Sequence, residues 1–182
     1  MAANEHKQFF LGNPLKHPCI RVRGIGYREQ MAPGFIRRPR GTGDYLFMMF
    51  YDPARIGTGP DAPAYDGGYF MLWPPGAPQY YGNTDAGYRH TWTHCRGVWI
   101  EKIVADAGFP PAQPVAVPDT GLVETYVFSI YRETVRPDSD PVMVRNLYEN
   151  WLRDMKRSSR AADRVRTVPD WLITARNYMD AS

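Results

Sequence analysis

Apolar and polar positions divide the chain into a strand-like first half and a helix-like second half. Between residues 19 and 95, short apolar or alternating runs are separated by glycine and proline, a pattern typical of β-strands. The clearest predicted strands are 20–23, 45–51, 69–73 and 88–95. The glycine- and proline-rich stretch 55–68 is predicted to be a long loop or a short irregular hairpin. Several short strands with turns between them predict a sandwich or a barrel.

From residue 96 onward the apolar spacing is that of helices, predicted at 97–107, 122–134 and 141–159. Gly108 is expected to end the first helix, and Asp140 is a candidate N-cap for the third. The third helix carries a seam of apolar residues at alternating steps of four and three: Val144, Tyr148, Trp151 and Met155. This spacing is typical of a helix that pairs with another helix. Packing within the chain's own domain remains open, but the two large aromatic residues favour a dimer interface.

Both ends of the chain differ from its middle. Residues 1–17 are mostly polar and are predicted to form an arm, and a basic stretch beginning at Lys156 is typical of a solvated linker. An amphipathic helix is predicted over 168–181. With nothing left to bury its apolar face, it suggests a chain cut before a second domain.

Composition narrows the class of protein. The chain has 182 residues, 43% of them apolar, a net charge of +3 and two cysteines without a Cys-x-x-Cys motif. This length suits one domain with a core, and the small net charge disfavours a nucleic-acid-binding surface over the whole chain. No signal peptide or membrane-spanning run of about 20 apolar residues is recognisable. We therefore expect a cytoplasmic protein with reduced cysteines and no disulfide framework.

The predicted strand 88–95 carries the most informative side chains. Because side chains alternate along a strand, Tyr88, His90, Trp92 and His94 are expected on one face. An indole can stack on the C–H face of a sugar while an imidazole pairs with its hydroxyls. This face therefore indicates a sugar site inside a barrel, although a face that only fills the core remains the alternative.

Metal and covalent chemistry have little support in the sequence. On a strand, His90 and His94 are separated by roughly 13 Å, too far for one ion to bind both nitrogen atoms. There is no Gly-x-Ser-x-Gly motif and no glycine-rich phosphate loop that opens a helix. We predict no metal, no cofactor and no catalytic residues.

Several motifs occur in an order that resembles the N-terminal domain of the AraC family of transcription regulators. They are Arg-Pro-Arg-Gly at 38–41, the run ending in Leu-Trp-Pro-Pro-Gly at 72–76, Tyr-Gly at 81–82, and His-Thr-Trp-Thr-His at 90–94. The resemblance covers roughly residues 24–105 well and the later helices loosely. It implies a mainly β fold with C-terminal helices: a cupin-like jelly-roll barrel that binds a small effector in its lumen, followed by a helical dimerisation subdomain.

By this resemblance, Arg38, Tyr81, His90 and Trp92 match the effector-contacting positions of the family. Trp92 would stack on a sugar ring, Arg38 would donate to its oxygen atoms, and Tyr81 and His90 could donate or accept. The family's pocket threonine falls near Gly24, so one hydrogen bond is missing or comes from elsewhere. His94 completes the predicted ligand-binding set.

The resemblance also implies a domain plan and a function. The plan is an arm at 1–17, a barrel at 18–95, a helical dimerisation subdomain at 96–160, and at 161–182 a linker with the first helix of a truncated helix-turn-helix domain. The expected function is a sugar-sensing, homodimeric, non-enzymatic domain that reaches DNA only through the missing domain. The alternatives are a regulator that binds a uronate or aromatic acid, a cupin-like sugar-modifying enzyme, and a barrel plugged by its own aromatic residues.

Overall fold

The computed structural model describes the backbone of residues 6–166 and the side chains of residues 6–158. Strands and helices of this part of the chain are as follows: β1 His6–Phe9, β2 Arg21–Met31, β3 Gly34–Arg38, β4 Tyr45–Phe50, β5 Ala54–Gly57, β6 Ala64–Tyr65, β7 Tyr69–Trp73, β8 Gln79–Asn83, β9 Tyr88–Arg96, α1 Val98–Ala107, β10 Val115–Ala116, α2 Thr120–Thr134 and α3 Pro141–Arg166. The predicted helix at 168–181 lies outside the described residues.

The strands form two antiparallel sheets with a jelly-roll order. One sheet has the order β1-β2-β9-β4-β7-β10 and the other has the order β3-β8-β5-β6. Between β2 and β9 the chain crosses repeatedly from one sheet to the other, which is the connectivity of a double-sheet jelly roll, the architecture to which cupins belong. The predicted fold class, a mainly β barrel followed by C-terminal helices, is confirmed.

The central strand β4 explains why the larger sheet is apolar on both faces. Leu46, Met48 and Phe50 belong to the cluster inside the barrel, whereas Phe47 and Met49 belong to the cluster beneath the helices. All five side chains are almost completely buried. The sheet therefore separates two cores, and its strands show a continuous apolar run instead of alternation.

The helices pack on the outer face of this sheet, and the two predicted capping residues lie at helix ends. The Asp140 carboxylate accepts a hydrogen bond of 2.7 Å from the backbone N–H of Val142 at the start of α3. Gly108 adopts the left-handed conformation at the end of α1, with a φ of 56°. The predicted positions of the three helices are confirmed, but α3 continues to Arg166 and passes the predicted boundary at residue 160.

The assignment of the α3 seam to a dimer interface is wrong. Val144, Tyr148, Trp151 and Met155 are each at most 1% exposed and pack in the core that α3 shares with the larger sheet. Trp151 lies 5.4 Å from Phe47, ring centroid to ring centroid. Seam spacing does not show whether the packing partner belongs to the same chain, and here the larger sheet together with helices α1 and α2 buries the seam. A homodimer through other surfaces stays a prediction.

The short antiparallel pair of β5 and β6 confirms the irregular hairpin, one of the two alternatives predicted for 55–68. The remaining differences concern short strands with weak sequence signals. Part of the predicted arm is β1, which pairs with β2. The strands β3, β8 and β10 were not predicted, because prolines and glycines interrupt their neighbourhoods.

Candidate functional site

Strand β9 presents its predicted side chains to the inside of the barrel. The Tyr88 and His90 rings are 5.5 Å apart, and the Trp92 and His94 rings are 5.3 Å apart. On the opposite side of the strand, the Thr93 hydroxyl forms a hydrogen bond of 2.6 Å with the hydroxyl of Tyr148 on α3. The prediction that residues 88, 90, 92 and 94 share one face is confirmed.

A buried carboxylate, Glu29, lies at the centre of this face. It accepts hydrogen bonds from Trp92 Nε1 at 2.5 Å and from His90 Nε2 at 3.1 Å. A third donor is the ammonium group of Lys7 on β1. Glu29 reaches this position because the pairing of β2 with β9 is shifted between Gly26 and Glu29.

The hydrogen bonds to Glu29 determine its charge. Burial alone would raise the pKa of this carboxyl group, but the hydrogen bonds from His90, Lys7 and Trp92 outweigh burial and lower the pKa to about 2. Glu29 is therefore ionised at neutral pH. The Nδ1 atom of His90 is buried without a hydrogen-bond partner among the described residues.

Strands β3 and β8 supply Arg38 and Tyr81, the other two residues predicted to contact an effector. Arg38 donates a hydrogen bond of 3.0 Å to the side-chain oxygen of Gln79. The Tyr81 ring lies 6.4 Å from that of His90. Burial raises the pKa of Tyr81, and the nearby Arg38 guanidinium partly opposes this shift. The phenol, the imidazole and the guanidinium thus lie close together.

A cavity of about 200 Å³ opens beside these residues; Phe9, Arg23, Arg38, Thr42, Asp44 and His94 line it. Asp44 is fully buried and accepts hydrogen bonds from Arg23 at 2.7 Å and from His94 Nδ1 at 2.9 Å. Burial would raise the pKa of Asp44, but His94 and, less strongly, Thr42 and Arg23 lower it overall. The cavity thus combines an ionised carboxylate, an imidazole, two guanidinium groups and an aromatic ring.

Glycines on β2 allow the aromatic rings to lie against the backbone. A Cβ atom at Gly26 would be 2.2 Å from Trp92 Nε1, and one at Gly24 would be 2.7 Å from the Phe9 ring. The Phe9 and Trp92 rings are 5.1 Å apart. Any larger residue at 26 would therefore displace the indole, and Phe9 occupies the space beside Gly24.

The structure places the six predicted ligand-binding residues in three different environments. Arg38 and His94 line the cavity, whereas Tyr81, His90 and Trp92 are at most 4% exposed in the packed interior. Gly24 contacts no open space, because Phe9 covers it.

Sequence reasoning missed Glu29, Asp44, Gln79 and Phe9. Asp44 directly precedes the apolar run of β4, a place where a charged residue signals only the end of a turn. Glu29 was hidden by the shifted pairing of β2, because simple alternation from Gly26, which lies against Trp92, would place residue 28 on the inner face instead. Among the described residues, no three His, Cys, Asp or Glu side chains are grouped so that they could bind one metal ion.

Comparisons with known proteins give weak likenesses. No protein-family model matches the sequence, and no curated protein matches it. The protein YhaK from Escherichia coli matches with a TM-score of 0.41 and 14% identity, over 63% of this chain and 52% of that protein. The chain therefore spans about half the length of YhaK.

Two further solved structures are similar to this chain over about half of its length. A cupin domain from Bordetella pertussis matches with a TM-score of 0.29 and 12% identity, over 52% of this chain and 93% of that domain. A mutant of the oxalate decarboxylase OxdC from Bacillus subtilis matches with a TM-score of 0.32 and 14% identity, over 59% of this chain and 36% of that enzyme. Since these likenesses are weak, the jelly-roll assignment rests on the strand order of the chain itself.

Proposed function

We propose that this chain is the effector-binding domain of a transcription regulator of the AraC type, and that a small sugar binds in the cavity beside the barrel lumen. The observation that carries the proposal is the lining of that cavity. Arg38 and Arg23 supply donors, the Asp44 carboxylate supplies an acceptor, and Phe9 supplies an apolar ring face. Sugars need this combination, because each hydroxyl donates and accepts while the C–H face is apolar.

The size and the polarity of the cavity support a small, uncharged effector. Drug-sized ligands occupy clefts of roughly 300–1,000 Å³, whereas this cavity holds about 200 Å³. An ionised Asp44 in the wall repels a second carboxylate, which favours a neutral sugar over a uronate or an aromatic acid.

The regulatory part of the proposal follows from the family resemblance. β1 belongs to the arm, and its Phe9 covers one side of the cavity. An effector that displaces or holds Phe9 would change the position of the arm, and the arm could report occupancy to a DNA-binding domain. In this proposal the protein is cytoplasmic and homodimeric, and it binds DNA through residues outside the described part. Within that part, no helix is both long enough and apolar enough to cross a membrane.

Calorimetric titration with pentoses, hexoses, uronates and benzoates tests the proposal. We expect a neutral sugar to bind and Arg38→Gln to weaken its Kd at least tenfold, since a hydrogen bond to a charged group contributes about 1.5–3 kcal/mol. Arg37→Gln is the matched control, because Arg37 is the exposed neighbour on the same strand and should leave the Kd unchanged. Absence of binding at millimolar concentration, or equal effects of the two variants, would contradict the proposal.

One observation favours a second function, that of a sugar-modifying enzyme. Asp44 accepts a hydrogen bond from Nδ1 of His94, and this contact fixes the proton on Nδ1 and leaves Nε2 as a base when the ring is neutral. Asp-His pairs of this kind support general base catalysis. NMR spectra of the bound sugar decide between the two functions: an unchanged sugar supports the sensor, whereas conversion that His94→Gln abolishes supports the enzyme.

A further inference from the structure

A second cleft, of about 520 Å³, lies where β2 begins and β9 ends. Its lining includes Arg21, Arg96, His17, Asn13, Tyr45 and Glu101. It shares no lining residue with the cavity described above: Thr42 and Asp44 line that cavity, whereas Gly43 and Tyr45 line this cleft.

Two arginines lie side by side at this cleft, and neither forms an ion pair among the described residues. Arg21 and Arg96 are directly paired positions on β2 and β9, and like charges in such positions destabilise a sheet. Among the described residues, no carboxylate forms an ion pair with either arginine, Glu101 included, and the buried Nε atom of Arg21 has no hydrogen-bond partner.

Other arginines of the same two strands are paired differently. Arg23 and Arg28 on β2 form ion pairs with Asp44 and Glu124, and Arg89 on β9 forms one with Asp52. These three arginines therefore each have a carboxylate partner, whereas Arg21 and Arg96 have none among the described residues. An external anion would supply the missing counter-charge.

His17 and Asn13 add oriented polar groups to the cleft. The His17 ring stacks on Trp99 at 4.3 Å, and its Nδ1 accepts a hydrogen bond of 3.2 Å from the backbone N–H of Cys19. The proton of a neutral His17 ring is therefore on Nε2, which becomes a donor. The Asn13 amide nitrogen donates to two backbone carbonyls, whereas its buried oxygen has no partner among the described residues.

We propose that this cleft is a binding site for a small oxyanion, a carboxylate or phosphate, that also carries hydroxyl groups. Arg21 and Arg96 would bind the anionic oxygens, since planar guanidinium groups match carboxylate and phosphate in a bidentate manner. The Asn13 oxygen and the Glu101 carboxylate are acceptors for hydroxyl groups on the same ligand. The site does not depend on the sugar cavity or on its proposed role.

Titration with citrate and with inorganic phosphate, at constant ionic strength, tests this site. We expect saturable binding of at least one of them, and a Kd weakened at least tenfold by Arg21→Gln and by Arg96→Gln. Tighter binding of citrate than of phosphate would identify a hydroxycarboxylate as the ligand class, and the reverse order would identify a phosphate ester. Arg132→Gln on α2 is the control, because it removes the same charge from an exposed position far along the chain.

A thermal-stability measurement shows whether a variant binds the anion less tightly only because it is poorly folded. Because each substitution relieves repulsion between the arginines, we expect Arg96→Gln without anion to melt no lower than the wild-type protein. Citrate or phosphate should then raise the Tm of the wild type and of Arg132→Gln more than that of Arg96→Gln. Equal increases in all three proteins would reflect the general stabilisation by such salts and would overturn the proposal, as would the absence of saturable binding of both anions.

Discussion

Three donors from two strands converge on the single carboxylate of Glu29. Trp92 and His90 come from β9, and Lys7 comes from β1. A buried carboxylate without such partners would be strongly destabilising. Glu29 therefore orients the indole and the imidazole and also ties the arm to the barrel.

The low pKa of Glu29 predicts how the stability of the protein depends on pH. The pKa is about 2 in the folded protein, against 4.5 for an unperturbed Glu. Between these values the unfolded chain binds more protons, so the stabilisation is complete above about pH 4.5 and is lost as the pH falls toward 2. We expect Glu29→Gln to flatten the dependence of the free energy of unfolding on pH across this interval.

Urea unfolding of both proteins at a series of pH values from 2 to 6 measures this effect. The Asp66→Asn variant is the control, because Asp66 lies in the short turn between β6 and β7 and forms none of these bonds. If the wild-type protein and Glu29→Gln lose stability in parallel as the pH falls, Glu29 does not carry the stabilisation.

At the level of residues, the sequence predicted the inner face of β9 and missed the groups that complete it. Tyr88, His90 and Trp92 follow from strict alternation along an uninterrupted strand. Glu29 does not, because Arg28 adopts a left-handed φ of 49° and the pairing shifts beside it. A local irregularity of this kind leaves no trace in the hydrophobic pattern.

At the level of elements, secondary structure could be predicted where the apolar pattern is strong. β4 and β7 are apolar throughout, and α3 has an apolar stripe with clear caps, so their positions were recognisable. The packing partner of the α3 stripe could not be predicted, because the spacing shows that a face is buried but does not show what buries it. In the structure, the outer face of the larger sheet and the helices α1 and α2 pack against it.

Trp151 on α3 provides a test of this packing. Its ring contacts Phe47 and Phe70 of the sheet and is fully buried. We expect Trp151→Ala to lower the free energy of unfolding by about 3–5 kcal/mol, the cost of a large cavity in a core. Chemical unfolding followed by circular dichroism measures the loss.

Trp151→Phe is the matched variant for this test. The indole N–H has no partner among the described residues, so its removal breaks no hydrogen bond, and the loss should be clearly smaller than for Trp151→Ala. If Trp151→Ala instead stays fully stable and sediments as a smaller species than the wild type, the seam is an interface between subunits and the assignment to the core is wrong.

At the scale of the whole molecule, the barrel and the helices share one sheet. Phe47 on β4 contacts Tyr148 and Trp151 of α3 from its outer side, while its neighbours Leu46 and Met48 fill the barrel. The division predicted at residue 96 is therefore a change of secondary structure along the chain. It does not separate two hydrophobic cores that could form independently, because each core needs the same strands.

This shared sheet predicts that the barrel and the helices unfold in a single transition. Leu152→Ala on α3 and Leu46→Ala inside the barrel should each cost about 2–5 kcal/mol, since both side chains are fully buried. In each variant, helical circular dichroism and tryptophan fluorescence should shift to the same new midpoint, as two-state unfolding requires. If Leu152→Ala lowers only the midpoint of the helical signal, the helices are an independent unit, and an effector in the barrel could not influence them through the sheet.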